Sequence, residues 1–249
     1  MNSLNSSNNL LIEQPIDGYR YSIEPFLIAD FAKLYREYRL LDIGTGCGII
    51  PLLITTQIEL KEIVGIEIQK SLYDFAVNNI SNNDLSKKVR LIHGDFIKTT
   101  IDDDNQPFDI IVSNPPYRKL NTGRINPKHE KAIARHELSI TLETLIKKAG
   151  KLLKHQGTFC MAYPPTRLNE VQEKLHSHKL FPSRIRFIHG SSDAEARIFL
   201  IEAVKEHQVD CIIEPPLFIY NNDGLYSEKM GKIYDSFNCH SWTNHIKEE

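Results

Sequence analysis

From Arg39 onward the chain alternates short apolar runs with segments whose apolar residues recur at helical spacing. Arg39 to Ile43, Glu62 to Ile68, Val89 to His93, Phe108 to Ser113 and Gly157 to Tyr163 read as strands. Gly48 to Thr56, Lys70 to Ile80, His129 to Leu153 and Thr166 to His176 carry the period of helices. Strands that alternate with helices in this way build a parallel sheet covered on both faces. Arg184 to His189 and Ala196 to Val204 break the rule, being two strands joined through Gly190-Ser191-Ser192-Asp193 with no helix between them. That pair predicts an antiparallel hairpin at the sheet edge. The expected fold is α/β: a doubly wound, Rossmann-like sheet, mostly parallel, with an antiparallel edge hairpin.

Two segments flank this pattern. Gly18 to Phe31 carries Tyr19, Tyr21 and Phe26, with a helix expected from about Pro25. Tyr21 and Phe26 suit either closure over a ligand or core packing. Cys211 to Tyr220, followed by the turn Asn221-Asn222-Asp223-Gly224, predicts a terminal β-ribbon. The expected organisation is an N-terminal tail (1–17), a single domain (18–235) with small β extensions, and a loosely ordered polar tail (236–249).

At 249 residues, 41% hydrophobic and 25% charged, the chain has the composition of one ordinary globular domain. It has no apolar run approaching the roughly 18 residues of a membrane span, and its Asn- and Ser-rich start lacks the features of a signal peptide. Cys47, Cys160, Cys211 and Cys239 are scattered with no CxxC pair, so no metal site is expected and a cytoplasmic setting fits. A net charge of −2 does not announce a nucleic-acid binder, but the distribution is uneven. Between Pro115 and His136, Arg118, Lys119, Arg124, Lys128, Lys131 and Arg135 face Glu130 as the sole acidic residue. Such a patch can hold phosphates, and it can equally be a solvated face.

Candidate chemistry lies where the strands end. Leu41-Asp42-Ile43-Gly44-Thr45-Gly46-Cys47-Gly48 is a strand running into a glycine-rich loop, the place where open α/β sheets bind ligands. Gly44, Gly46 and Gly48 allow a sharp turn and close approach of a ligand. The spacing does not complete a dinucleotide fingerprint, and Asp42 just before the loop favours a ligand carrying positive charge, such as the ammonium and sulfonium of S-adenosyl-L-methionine. Glu67, at the tip of the next strand, can accept from both ribose hydroxyls. At the third strand end, Asp95 can accept from an adenine amino group and Phe96 can pack on the ring.

The fourth strand ends in Asn114-Pro115-Pro116-Tyr117. An amino group on a heteroaromatic ring is a poor nucleophile because its lone pair is delocalised. Two acceptors aimed at its protons, the Asn114 side-chain oxygen and the Pro115 carbonyl, favour the tetrahedral geometry that methyl transfer requires. The prolines stiffen the loop, and Tyr117 offers a face on which an extruded base can stack.

With these motifs, Gly18-Tyr19-Arg20-Tyr21-Ser22-Ile23-Glu24-Pro25 and the stretch from Gly123-Arg124-Ile125-Asn126-Pro127 through Ala134-Arg135-His136-Glu137 make the chain resemble bacterial tRNA1(Val) adenine-37 N6-methyltransferases. The similarity extends to Pro215-Pro216-Leu217-Phe218-Ile219-Tyr220. The resemblance implies a class I methyltransferase domain, S-adenosyl-L-methionine as donor, and an adenine of a tRNA anticodon loop as acceptor. It further implies that Asp42 and Gly44 line the methionine part, Glu67 the ribose and Asp95 the adenine, while Asn114 to Tyr117 receives the base. Arg118, Lys119, Arg124, Lys128 and Arg135 would then hold phosphates, although Arg135 also suits a structural tie between loop and helix. No stable protein partner and no membrane are implied. A ribosomal RNA base methyltransferase, a protein glutamine N5-methyltransferase and a noncatalytic RNA-binding module remain as rival readings.

Overall fold

The computed structural model describes residues 10–15, 23–101, 106–115 and 140–237. Strands β1 (Arg39–Ile43), β2 (Glu62–Glu67), β3 (Val89–His93), β4 (Phe108–Ser113) and β5 (Leu153–Tyr163) pair in parallel. Helix α1 (Glu24–Phe31) precedes β1, α2 (Ile49–Gln57) and α3 (Lys70–Asn82) follow β1 and β2, and α4 (Leu142–Leu152) precedes β5. A short 3₁₀ turn (Pro165–Arg167) and α5 (Leu168–Ser177) then lead to β6 (Leu180–His189) and β7 (Ala196–Lys205), which pair antiparallel. The strand order is β3-β2-β1-β4-β5-β7-β6, so the topological switch falls between β1 and β4. β7 is inserted between β5 and β6, antiparallel to both.

Alternation along the strands divides the core into two layers. Leu40, Ile110, Val112, Cys160 and Leu200 pack on the side of α1, α2 and α3. Leu41, Ile111, Phe159, Met161 and Ile201 pack on the side of α4 and α5. Because both faces are covered, β1 and β4 are buried at every position. Among the described residues, no helix is long and apolar enough to cross a membrane.

Several expectations need correction. The helix expected over His129 to Leu153 begins, in its described part, at Leu142. There the Thr141 hydroxyl accepts from the Thr144 N–H and the Thr144 hydroxyl accepts from the Thr141 N–H, a reciprocal cap that starts a helix. Residues 129–139 lie outside the described residues.

The β6–β7 hairpin closes one end of the sheet as expected, while Cys211 to Tyr220 does not form a ribbon of its own. Strands β8 (Ile212–Ile213) and β9 (Leu217–Phe218) both pair in parallel with β6, and Tyr220 bridges Tyr226. Beyond them lies a helix that the polar sequence did not suggest, α6 (Glu228–Ser236), capped by Ser227. It packs on α1 through Phe26–Tyr234 and Phe26–Phe237 ring contacts of 4.8 and 6.0 Å, with Phe237 fully buried. Phe26 is thereby a core residue. Residues 10–15, expected in a tail, dock on α3, with Leu10 and Ile12 packed against the core.

Candidate active site at the carboxyl edge of the sheet

Register brings the candidate residues into one row. Ile43 pairs with Ile66 on one side and Ser113 on the other, and Glu67 pairs with His93. The residues that follow, Gly44, Asn114 and Asp95, therefore emerge from the same edge as Glu67. β1 and β4 flank the switch point, so the glycine loop and the Asn114-Pro115 segment begin on adjacent strands, about 5 Å apart. The Ser113 hydroxyl, buried, donates to the Ile43 carbonyl at 3.0 Å and fastens the two strand ends together.

Gly44, Gly46 and Gly48 all adopt positive φ (73°, 58° and 79°), the conformation that disfavours any side chain. This folding turns the loop's donors inward. The N–H groups of Gly44 and Thr45 both donate to the Ile66 carbonyl (2.9 and 3.0 Å), that of Gly46 to Glu67 Oε2 (3.0 Å), and that of Gly48 to the Thr45 carbonyl (2.9 Å). A pyrophosphate cradle needs such donors free. This loop has committed them.

What remains without a partner is a carboxylate. Asp42 is 1% exposed, and neither of its oxygens has a hydrogen-bond partner among the described residues. Burial pushes its pKa up to about 7; the nearby Thr45 hydroxyl offsets part of the rise and the Glu67 charge adds to it. Thr45 Oγ1 is itself buried without a partner of good geometry. Thr45 fits there because Gly65 faces Asp42 across the β1–β2 ladder, where a Cβ would stand 3.0 Å from Thr45 Oγ1 and 2.9 Å from Leu91. A buried carboxylate that lacks hydrogen bonds is costly alone and favourable beside a cation. The loop is built for a cationic ligand.

Glu67, 3% exposed, ties the loop to the start of α3, its second oxygen accepting from the Gln69 N–H at 2.7 Å. Asp95 organises the turn after β3, its Oδ1 accepting from the Ile97 N–H at 2.9 Å. Phe96 is 2% exposed and belongs to the core layer beneath α4, with Lys148 Nζ 5.0 Å from its ring centre. The same ammonium donates to the carbonyls of Phe96, Ile97 and Thr99, so α4 holds the Asp95 turn from below.

Asn114 Oδ1 is buried and has no hydrogen-bond partner among the described residues. It is an amide oxygen kept out of water at the switch point, beside the loop that carries Asp42. Tyr117, Arg118, Lys119, Arg124, Lys128 and Arg135 lie outside the described residues. Further along the same edge, a cleft of about 540 Å³ is bordered by Gly190, Ser191, Arg197, Tyr220 and Asn221, and none of the candidate groups lines it.

A family model described as a methyltransferase domain matches residues 34–213. The tRNA1(Val) (adenine(37)-N6)-methyltransferase of Porphyromonas gingivalis is 32% identical over 204 residues, covering 79% of this chain and 78% of the relative. The chain belongs to the class I methyltransferase family. Within it, the chain is related to the bacterial enzymes of that name, a second of which, from Bacteroides thetaiotaomicron, is 30% identical over 82% of the chain and 78% of its own length. A solved structure of a predicted O-methyltransferase from Agrobacterium tumefaciens superposes with a TM-score of 0.68 at 17% identity, covering 86% of this chain and 96% of that one, which speaks for the fold.

As a member of this family the protein is an enzyme that uses S-adenosylmethionine. Asp42 would hold the cofactor's methionine ammonium and sulfonium, which would supply the positive charge its pocket lacks, and the chemistry the group would bring is delivery of an electrophilic methyl group. The residues present fit that group. Sequence reading gave no role to Thr45, Gly65, Ser113 and Lys148, which shape the site around its motifs. Gly65 alone carried a signal, since glycine inside a strand marks a close approach.

Proposed function

We propose that the protein methylates the exocyclic N6 of an adenine in RNA, and that the acceptor is adenine 37 in a tRNA anticodon loop. The observation that carries the acceptor chemistry is the buried, unpartnered Asn114 Oδ1 at the sheet's switch point. In this reading Asn114 Oδ1 and the Pro115 carbonyl each accept one proton of the amino group, holding its lone pair toward the methyl donor. Tyr117 stacks on the extruded base. Asp42, Gly44 and Gly46 bind the methionine part, Glu67 the ribose, and Asp95 with Phe96 the adenine end of the cofactor. Arg118, Arg124, Lys128 and Arg135 contact RNA phosphates. The named activity of the relatives supports RNA and adenine as the substrate class.

The test is transfer of labelled methyl from S-adenosylmethionine into unmodified tRNA, followed by mass spectrometry of the nucleosides. N6-methyladenosine confined to position 37 of one tRNA is the expected result. Label in ribosomal RNA or in protein glutamine, with tRNA untouched, overturns the acceptor while leaving the methyltransferase intact.

A further inference from the structure

The N-terminal segment Leu10 to Pro15 is fastened to α3 by two asparagines one turn apart. Asn79 is fully buried. Its Oδ1 accepts from the Glu13 N–H at 2.7 Å and its Nδ2 donates to the Glu13 carbonyl at 2.9 Å. Asn83 repeats the pattern on Leu11, accepting from its N–H at 3.0 Å and donating to its carbonyl at 2.7 Å. The spacings match: two residues of extended chain advance about 6.6 Å, and four residues of helix about 6 Å. The helix offers side-chain amides where a sheet would offer a neighbouring strand.

Asn79 does one thing that Asn83 does not. Its Nδ2 also donates to the Cys47 carbonyl at 2.9 Å, inside the glycine loop. The peptide between Cys47 and Gly48 is thus held at both ends, its carbonyl by Asn79 and its N–H by the Thr45 carbonyl. Nearby, a Cβ on Gly48 would stand 3.4 Å from Ala76 Cβ, so α3 passes close to the loop at this point. One amide therefore joins the N-terminal segment, α3 and the loop that follows Asp42.

We propose that Asn79 is a positioning residue for the cofactor, and that residues 10–15 act through it to hold the glycine loop in its binding shape. A buried amide that loses these bonds leaves the Glu13 and Cys47 carbonyls unsatisfied, and the loop can relax toward other conformations. Free loop states reduce affinity for a ligand that needs only one of them. The cofactor itself stays untouched by Asn79.

The test compares Asn79→Ala with Asn83→Ala by calorimetric titration of S-adenosylhomocysteine, together with KM for S-adenosylmethionine and kcat. Asn79→Ala should weaken cofactor binding about tenfold and raise KM equally, with kcat at saturation changed less than about threefold. Asn83→Ala, which also loosens the segment but does not touch the loop, should change affinity less than about threefold. Equal losses in the two variants, or no loss in Asn79→Ala, overturn the proposal. Should Asn79→Ala fail to fold, deletion of residues 1–15 leaves Asn79 in place and serves instead. A deletion variant with wild-type cofactor affinity likewise overturns it.

Discussion

Ser113 donates its hydroxyl to the Ile43 carbonyl at 3.0 Å, a side-chain bond between the two strands that flank the switch point. Asp42 precedes one end of that bond and Asn114 follows the other. Each ends in oxygens that are buried without a hydrogen-bond partner. Natural proteins leave few such groups, because each costs about 1–3 kcal/mol. We propose that ligands complete the structure at these two neighbouring strand ends, a cation beside Asp42 and an amino group beside Asn114.

Replacing Asp42 by Asn should separate binding from stability. Cofactor affinity should fall at least about a hundredfold, as expected when a buried charge partner is lost. The ligand-free protein should gain stability. The folded pKa of Asp42 is raised from 3.8 to about 7, so the folded state holds the proton more tightly than the unfolded state. Stability from this group is present below the unfolded pKa and declines as pH rises through about 7. The gain from the substitution, on the order of 1–3 kcal/mol, should therefore be larger at pH 8 than at pH 5 in denaturant titrations.

The same titration predicts a pH dependence of wild-type cofactor binding. An ammonium needs the ionised carboxylate, so affinity should rise with pH and level off above about 7. Calorimetry between pH 5.5 and 8.5 reads this directly. In Asp42→Asn the slope should disappear.

Asn114→Ala should leave cofactor affinity within about threefold of wild type and lower kcat by roughly 10²–10³, the usual cost of one preorganised polar group at a reacting centre. Cofactor titration alongside single-turnover methyl transfer distinguishes the two effects. A matching loss of cofactor affinity would falsify the acceptor role.

Lys148→Met should cost about 1–3 kcal/mol, because the carbonyls of Ile97 and Thr99, held at 3.1 and 2.8 Å, lose their shared donor along with that of Phe96. The Asp95 turn loosens with them, so cofactor affinity should fall several-fold. Urea unfolding and calorimetry on one preparation check both halves.

Glu202→Ala tests a part of the molecule remote from catalysis. Arg184 is 6% exposed and held by Glu202 through two bonds of 3.0 and 2.6 Å, by Glu214 at 2.8 Å and by the Phe31 carbonyl at 2.8 Å. Removing Glu202 takes away two bonds of a buried guanidinium that keeps Glu214 and the Phe31 carbonyl, and should destabilise the fold by about 1–3 kcal/mol. Cofactor affinity of the folded protein should stay within about twofold.

Much of this architecture was legible without coordinates. Period-2 and period-3.6 patterns are set by which side chains face water, so β1 to β7 and α1 to α5 were recognisable, with errors mainly at their ends. The motifs at the strand ends were legible for a related reason: positive-φ glycines and proline-stiffened turns are local requirements of the backbone. Where the period was weak, the reading failed. α6 is largely polar and is stabilised by Tyr234 and Phe237 meeting Phe26 from the other end of the chain, a contact that no local window contains.

The sequence by itself determined the fold class and the order of acidic, glycine and Asn-Pro-Pro-Tyr signals along it, because those follow from local conformational preference and burial pattern. Only the tertiary structure decided which polar groups are satisfied. It turned the loop's N–H groups inward to Ile66, Glu67 and Thr45 and left the Asp42 carboxylate and Asn114 Oδ1 without partners. It also joined Glu13 to Cys47 through Asn79. Hydrogen bonding between residues distant in the chain depends on their meeting in space, and that meeting is a property of the packed sheet and its helices.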